Sequence, residues 1–267
     1  MTRLQNIWPP VAFGAIFLAM WEGGVRIFDI DEFLLPRPTA IASALGREWS
    51  PEVGNGRLTT LREAGWETAK VAIMGLVLGV VLGALLALVT NRFRFARESF
   101  TPLAVAVNAT PIVALAPIFN AWFGSTGILS NVAVVVVVVF FPIFINTSRG
   151  LTQVHPNQLE LMRSYAASDL TTLREVRIPN AMPFFTTALR VAAPLSVIAA
   201  IVAEYFGGPI NRLGPVITQN ASFARYDNAW AAIVVASVVG LLLFLAAIGL
   251  ERVLMPWRRA TVDDALR

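Results

Sequence analysis

Few residues in this chain of 267 could carry out catalysis. There is no cysteine, which excludes disulfides, thiolate nucleophiles and cysteine-held metals together. The single histidine, His155, lies beside Pro156 in a polar segment without a second histidine, so we interpret it as a loop residue rather than a metal ligand. The sequence also lacks H-E-x-x-H, G-x-S-x-G and G-x-x-x-x-G-K-[ST] motifs. These absences argue against a metalloprotease, a serine hydrolase and an ATP site on this chain.

A second group of candidate residues is polar or aromatic and lies within, or at the end of, long apolar segments. Its members are Asn108, Thr110, Asn120, Trp122, Glu204 and Tyr205. Polar groups are costly at membrane depth, so they either line a path for a polar solute or form hydrogen bonds between helices. Pro111 and Pro117 interrupt the first of these segments, and a kinked helix with freed carbonyls is typical of a span that lines a path. For Glu204 and Tyr205 the alternative is anchoring at the membrane interface, which we favour over a gate.

Composition places these residues in a membrane protein. Hydrophobic residues make up 56% of the chain and charged residues 14%, and the mean hydropathy is +0.66. The apolar residues are concentrated in six blocks, each close to the about 20 residues with which a helix crosses a bilayer. The blocks cover residues 9–28, 69–89, 103–123, 128–146, 184–206 and 229–251. Since they lack the alternation of barrel strands, we predict an all-α membrane protein of about six spans, with residues 1–267 forming a single domain.

Three glycines in the second block, Gly75, Gly79 and Gly83, are four residues apart. This spacing puts them on one helix face, where small residues let two membrane helices approach closely. The alternative is that glycine is simply common in membrane spans.

The arginines indicate how the spans face. If the N-terminus is inside, the loops and termini on that side carry thirteen arginines and those on the opposite side carry seven. Cytoplasmic loops hold the excess of positive charge, so we predict a multi-pass membrane protein with both termini in the cytoplasm. The pI of 10.3 follows from this topology, and no basic stripe with interleaved aromatics indicates a nucleic-acid partner. The outward segment LLPRPTAIASALGREW predicts a short surface helix.

The long cytoplasmic loop, residues 147–183, carries a helical pattern of its own. Leu170, Leu173 and Val176 recur every three residues and share one helix face. An apolar face on a short cytosolic helix has to be covered, either by a partner protein or by the ends of the protein's own spans. Periodicity leaves both alternatives open.

The bounds of this helix can also be predicted. Ser168 or Asp169 is suited to the N-cap position. Pro179 lacks a backbone N–H and disfavours helical geometry at Ile178, so we predict that the helix ends there, before the fifth span begins.

The spacing of residues in the loop favours a partner protein, rather than the protein's own spans, as the cover of this apolar face. When Glu160 is counted as position one, Ala166 is the seventh residue, Val176 the seventeenth and Pro179 the twentieth. In this register the loop resembles the coupling loop of permease subunits in bacterial ATP-binding-cassette importers. That signature has Glu-Ala-Ala, glycine at seven, an aliphatic residue at seventeen and proline at twenty. Within that group the chain is most similar to permeases of the nitrate, sulfonate, taurine and pyrimidine-precursor type, through LLPRPTAI, NATPIVALAPIFNAWFG, FFPIFINTSRGL and VAEYFGG in that order.

The loop departs from this signature at three positions. Leu161 and Met162 replace the two alanines, and Ala166 replaces the glycine. Alanine at the glycine position predicts that the turn needs no positive φ there. Imperfect loops of this kind also favour pairing with a second, non-identical permease.

The resemblance implies a permease that lies in the bacterial inner membrane and forms the translocation path for a small polar solute. A second permease subunit, identical or homologous, two separate ATPase subunits and an extracytoplasmic solute-binding protein would complete the assembly. ATP and Mg²⁺ would bind to the ATPases, and this chain would hold no cofactor and no metal. The resemblance assigns contact with the ATPase to Glu160, Ala166, Asp169, Leu170, Leu173, Arg174, Val176 and Pro179.

An ion-coupled secondary transporter is the alternative function. Such proteins use carboxylates within the membrane and repeated halves. Glu22, Glu204 and Glu251 lie near the ends of spans, and the two sets of three spans show no internal repeat. An intramembrane enzyme would need a set of catalytic residues within the spans, and this sequence has none. A passive channel would not need the elaborate cytoplasmic loop. A sulfonate, nitrate or a heterocyclic precursor all fit as solute, although the lack of a strongly basic intramembrane site favours a solute other than an anion.

Overall fold

The computed structural model of the chain describes residues 8–49, 60–93, 111–124 and 127–256. Within these ranges the regular structure is helical, and we number the α-helices in chain order. They are α1 Trp8–Ile27, α2 Pro38–Trp49, α3 Leu61–Arg92, α4 Ile112–Phe123, α5 Ile128–Thr152, α6 Pro156–Ser164, α7 Asp169–Thr172, α8 Ile178–Phe206, α9 Leu213–Ser222 and α10 Tyr226–Leu254. A π-helical turn, Leu173–Arg177, joins α7 directly to α8.

Five helices in the described ranges are long and apolar enough to cross a membrane: α1, α3, α5, the continuous helix Asp169–Phe206 and α10. They correspond to five of the six predicted blocks. Helix α4 covers the end of the remaining block, whose first part, residues 103–110, lies outside the described residues. Several helices are longer than the blocks, because apolar composition marks only the hydrocarbon depth while helical hydrogen bonding continues into the polar flanks.

The chain forms two compact units. Unit 1 comprises Met1–Glu67 and Ile210–Ser237. In it the Glu22 carboxylate of α1 accepts hydrogen bonds from the backbone N–H and the hydroxyl of Thr39, at 3.2 and 3.0 Å, in the first turn of α2. Arg26 holds the same carboxylate at 2.6 Å. The predicted surface helix is thus present as α2, and α1 supplies the acceptor for its otherwise unpaired N-terminal donors.

Unit 2 comprises Thr68–Pro209 and Val238–Arg267, and it holds the main core. Helices α5 and α8 pack against each other at its centre. The core draws on α3, α5, α8 and α10 and consists of small and β-branched residues, including Val71, Ala72, Val135, Val139, Ile143, Ala192, Ala193, Ala200 and Ala247. Such side chains let membrane helices approach closely, since lipid provides no hydrophobic drive for their association.

The three glycines of α3 face α5, which confirms the predicted close contact. A Cβ atom added at Gly75 would overlap Val135, and one at Gly79 would lie 2.8 Å from Cβ of Val139. At Gly83 the obstacle is backbone, because an added Cβ would lie 2.8 Å from the carbonyl oxygen of Phe140.

Candidate functional site

Loop 147–183 is built around two short helices joined by a tight turn. Helix α6 ends with paired hydrogen bonds, from Ala166 N–H to the Arg163 carbonyl at 2.9 Å and from Ala167 N–H to the Met162 carbonyl at 3.0 Å. These are the two bonds of a Schellman motif, which requires a left-handed residue at the turn. Ala166 adopts it, with φ of 49°. The prediction that alanine excludes a positive φ here is therefore wrong, because two backbone hydrogen bonds offset the steric cost at its Cβ.

The helix after the turn begins as predicted and ends elsewhere. Ser168 caps α7, its hydroxyl accepting the Thr171 N–H at 3.1 Å. The prediction that the helix ends at Pro179 is wrong, since Ile178 is helical, with φ −65° and ψ −50°, and α8 continues to Phe206. The π turn explains the passage, because Ile178 N–H bonds the Leu173 carbonyl five residues back. This wider turn accommodates the proline ring, which in a regular α-helix would clash with the carbonyl four residues earlier.

The three apolar residues predicted for docking differ in accessibility. Leu170 is 72% exposed. Leu173 is half-buried and packs against the cluster of Phe144 and Leu151 in unit 2, and Val176 is half-buried as well. The apolar face is thus partly covered by the protein's own spans. What remains open around Leu170 is charged, with Arg174 and Glu175 exposed.

The loop is also tied to the end of α3, a connection that the sequence did not indicate. Arg92 forms an ion pair with Asp169. Arg177 donates to the Asn91 side chain at 3.0 Å and to the Leu151 carbonyl at 3.5 Å. A cleft of about 450 Å³ lies between α3 and α7, and its lining includes Leu88, Asn91, Arg92, Asp169, Leu170 and Arg177.

Helix α6 is an accessible surface that we did not predict from the sequence. It has no buried residue, and its exposed Glu160 lies beside the large apolar side chains of Leu161 and Tyr165, one helical turn apart and both exposed. The i, i+4 spacing of Leu161 and Tyr165 is visible in the sequence and indicates that the two side chains share one helix face. In the sequence analysis Leu161 was considered only as a replacement for the alanine of the Glu-Ala-Ala signature.

The polar residues of α4 are used in different ways. Asn120 is buried and joins three helices, since its amide donates to the Phe206 carbonyl at 2.9 Å and its carbonyl accepts from the Ser130 hydroxyl. Trp122, by contrast, is 70% exposed. Asn108 and Thr110 lie outside the described residues.

The carboxylates near span ends all have protein partners. Glu204 is buried and accepts the Thr68 hydroxyl at 3.0 Å, while the neighbouring Tyr205 is exposed. Glu251 lies 3.1 Å from the Arg190 guanidinium, and Glu22 caps α2. These contacts occupy the side chains that an ion-coupled transporter would use. Across the described ranges, no three acidic or histidine side chains come together as a candidate metal site.

Comparison with known proteins agrees with this arrangement. Residues 79–260 match the family model described as "Binding-protein-dependent transport system inner membrane component". The chain is 33% identical over 261 residues to the formylaminopyrimidine transport permease protein ThiX of Halalkalibacterium halodurans, covering 97% of this chain and 99% of that one. It is 28% identical to the riboflavin transport system permease protein RibX of Chloroflexus aurantiacus (94% and 91%) and 23% identical to the taurine transport system permease protein TauC of Escherichia coli (96% and 94%).

The fold is shared with solved transporters. A chain of the MetNI methionine ABC transporter in an inward-facing conformation superimposes with a TM-score of 0.60 at 17% identity, covering 72% of this chain and 95% of that one. A chain of an amino acid ABC transporter does so with a TM-score of 0.56 at 15% identity, covering 73% and 92%. The chain therefore belongs to the family of inner-membrane components of binding-protein-dependent transport systems and is a permease subunit of an ATP-binding-cassette importer.

Proposed function

We propose that this permease imports a small, uncharged heterocycle of the pyrimidine type. The observation that carries the proposal is the 33% identity, over almost all of both chains, to a formylaminopyrimidine permease. Among the described spans, the Arg190 guanidinium is paired with Glu251, so it is not free to bind an anionic solute. A taurine or nitrate permease requires recognition of a charged group.

Uptake into vesicles that contain the permease, its ATPase and its binding protein tests the solute. We expect ATP-dependent uptake of labelled formylaminopyrimidine and none of taurine or nitrate. Uptake of taurine or nitrate in preference to the heterocycle would contradict the proposal.

We propose that the solute path includes the exposed Trp122 and Tyr205, together with Asn108 and Thr110. An aromatic face suits a planar heterocycle through offset stacking. Asn120 and Glu204 stay in the proposal as residues that hold the path helices, because their polar atoms contact α5, α8 and α3. Trp122→Ala should lower uptake of the heterocycle while leaving the amount of folded protein unchanged, whereas Asn120→Ala should lower both.

We propose that the ATPase binds the exposed side of α6, α7 and the π turn. Glu160, Tyr165, Asp169, Leu170, Arg174 and Glu175 are all exposed there. Leu173 contributes by packing against Phe144 and Leu151, which holds this surface to the spans. Half-buried Val176 and exposed Pro179 stay in the proposal as parts of the surface, and Ala166 sets the turn between the two helices. Because Asp169–Phe206 is one continuous helix, a displacement of α7 by the ATPase reaches a membrane span without an intervening loop.

Leu170→Glu is the variant that tests docking. It replaces an accessible apolar side chain with a charged one, so insertion of the permease into the membrane should be normal. Association with the ATPase and uptake should each fall by an order of magnitude or more. Phe223→Glu is the matched control, because Phe223 is also 72% exposed but belongs to unit 1. Leu173→Glu is less informative, since that side chain packs in the core and its loss would lower stability as well. Normal ATPase binding by Leu170→Glu would contradict the docking surface.

We further propose the composition and orientation of the assembly. Two permease subunits, identical or homologous, would combine with two ATPases that bind ATP and Mg²⁺, and with a binding protein on the outer side. The chain would have both termini in the cytoplasm and would hold no cofactor of its own. The arginine asymmetry between the two sets of loops supports this orientation.

A further inference from the structure

The π turn between α7 and α8 has two sides. Arg174 and Glu175 are exposed on the side assigned above to the ATPase. Leu173 and Arg177, one helical turn apart, are half-buried, and Leu173 packs against the cluster of Phe144 and Leu151. Arg177 therefore contributes a positive charge to the side of the turn that meets the protein's own spans.

The Arg177 guanidinium joins the C-terminal ends of two spans. Its Nη1 atom donates to the side-chain oxygen of Asn91 at 3.0 Å and lies 3.5 Å from the carbonyl oxygen of Leu151. Asn91 belongs to the last turn of α3 and Leu151 to the last turn of α5. Carbonyl groups in a last turn lack an intrahelical partner, and a positive charge is favourable at a helix C-terminus. A cation at position 177 thus suits both helix ends.

The other contact between α3 and α7 is the weaker one. It is the ion pair of Arg92 with Asp169, whose side chains are 65% and 83% exposed, so water and salt screen it. The hydrogen bond from Arg177 to Asn91 is partly buried and is screened less. Arg177 is therefore the main polar connection from the π turn to the end of α3.

Helix α3 is held to its neighbours elsewhere along its length. Near its start, Thr68 donates to the buried Glu204 carboxylate of the continuous helix Asp169–Phe206 at 3.0 Å. Farther along, its glycine face packs closely on α5. The end of α3 is the part that lies beside α7, and Arg177 decides how firmly it is attached there.

We propose that Arg177 is a positioning residue for transport. It makes the ends of α3 and α5 follow α7 when the ATPase displaces that helix, so that the displacement reaches three spans together. This inference rests on the proposed docking of the ATPase on α6 and α7. Without Arg177 the ATPase still binds and displaces α7, the end of α3 follows less, and less solute moves for each ATP hydrolysed.

The movement of α3 can be measured directly, because the chain has no cysteine. Phe93→Cys and Thr171→Cys place spin labels at two exposed positions, one just after α3 and one on α7. Dipolar broadening then reports their separation in the complex with the ATPase. A non-hydrolysable ATP analogue should leave the broadening unchanged when Arg177 is present and should reduce it in Arg177→Gln. Asn91→Leu should have the same effect, since it removes the acceptor on α3 alone.

Transport of labelled formylaminopyrimidine by vesicles that hold the complete complex gives a second readout. Arg177→Gln should leave ATPase association unchanged and should raise the ATP hydrolysed per solute about fivefold. A loss of folded protein lowers hydrolysis and uptake together, so this ratio separates positioning from folding. Arg177→Lys keeps the charge and a donor and should restore the ratio. Arg149→Gln is the matched control, because Arg149 is an exposed arginine in the last turn of α5.

Two results would overturn the proposal. One is weaker ATPase association in Arg177→Gln, which would place Arg177 in the docking surface. The other is unchanged broadening in both Arg177→Gln and Asn91→Leu. The spectroscopic readout needs no solute, so it does not depend on the proposed heterocycle. Docking itself is tested separately by Leu170→Glu, so a failure of docking can be told from a failure of the role of Arg177.

Discussion

Two alanines hold backbone conformations that glycine adopts at lower cost. Ala166 has φ of 49° and Ala224 has φ of 56°. Ala224 ends α9 with the same pair of bonds, from its own N–H to the Ala221 carbonyl at 3.1 Å and from Arg225 N–H to the Asn220 carbonyl at 2.8 Å. At each turn the sequence offers no glycine, so a search for glycine would not locate either helix end.

Ala166→Gly should stabilise the permease. Glycine removes the clash between Cβ and the backbone in a left-handed residue, which is worth about 1 kcal/mol in the free energy of unfolding. The measurement is the unfolding midpoint of the purified protein in a denaturing detergent titration. Ala167→Gly is the neighbouring control and should give no gain, since Ala167 has no positive φ. A midpoint for Ala166→Gly at or below that of the unmodified protein would contradict the assignment of strain.

Asn120 illustrates what a residue type leaves open. The sequence allowed it to line a solute path or to join helices. In the structure its side-chain amide donates to the Phe206 carbonyl, and its side-chain oxygen accepts from the Ser130 hydroxyl. These two residues lie 86 and 10 positions away in the sequence. Since both groups are engaged, truncation would leave the Phe206 carbonyl and the buried Ser130 hydroxyl without these partners, and the lost partner of the buried hydroxyl alone should cost about 1–3 kcal/mol.

At the scale of elements, the contact between α3 and α5 depends on the absence of side chains. An added Cβ at Gly79 would lie 2.8 Å from Cβ of Val139 and 3.0 Å from the Val136 carbonyl oxygen, and one at Gly83 would lie 2.8 Å from the carbonyl oxygen of Phe140. Neither obstacle is the flexible end of a side chain, so shortening a side chain on α5 to alanine should not make room at either position.

Gly79→Ala and Gly83→Ala should each destabilise the permease, by about 1–3 kcal/mol, because the helices have to separate. Val139→Ala should not restore stability to Gly79→Ala, because alanine keeps the Cβ that the new methyl group would meet. Shortening a side chain on α5 should not rescue Gly83→Ala either, because the Phe140 carbonyl remains in place. The readout is the unfolding midpoint together with the yield of folded protein, and Gly249→Ala is the control, since an added Cβ there would meet no other atom within 4 Å. Rescue of either variant by a shorter side chain on α5 would contradict the prediction.

The continuity of the helix Asp169–Phe206 is the second feature at this scale. Pro179 led to the prediction of two separate helices, whereas in the structure a π-helical turn joins them into one continuous helix. A rigid connection transmits displacement, whereas a flexible one absorbs it.

Replacing both Ile178 and Pro179 with glycine should uncouple the two parts. Each glycine weakens the helix by about 1 kcal/mol relative to alanine, so a hinge should form between α7 and the span. We expect ATPase binding to persist while ATP-dependent uptake falls. Pro179→Ala is the control, since it keeps the helix and should retain uptake. Unchanged uptake in the double glycine variant would show that α8 is not the element that carries the displacement.

At the scale of the whole molecule, the proposed orientation can be tested without background labelling, because the chain has no cysteine. Ser164 on α6 and Ser222 on α9 are both exposed. In intact cells, a membrane-impermeant thiol reagent should label Ser222→Cys and should label Ser164→Cys only after permeabilisation. The reverse pattern would place loop 147–183 outside and would remove the basis for ATPase docking.

The sequence by itself determined the membrane class, the helical spans, the helical pattern of loop 147–183 and the start of its second helix at Ser168 or Asp169. These follow from local chemistry: a bilayer leaves helices as the means of pairing the backbone, and periodicity and caps involve neighbours within one or two turns. The close glycine face of α3 belongs to the same group, since four-residue spacing is local, although its partner helix was not identified.

Only the tertiary structure decided which of Leu170 and Leu173 is accessible, how Asn120 is used and whether the helix passes Pro179. Leu173 is covered by Phe144 and Leu151, and Asn120 is held by Phe206, so both outcomes depend on residues far away in the chain. Pro179 is accommodated by a change of hydrogen-bond register that propensity disfavours and that packing of Leu173 and Ala181 on α5 supports. Contacts between distant segments contribute more free energy than local preference at these positions, so a linear pattern could not have fixed them.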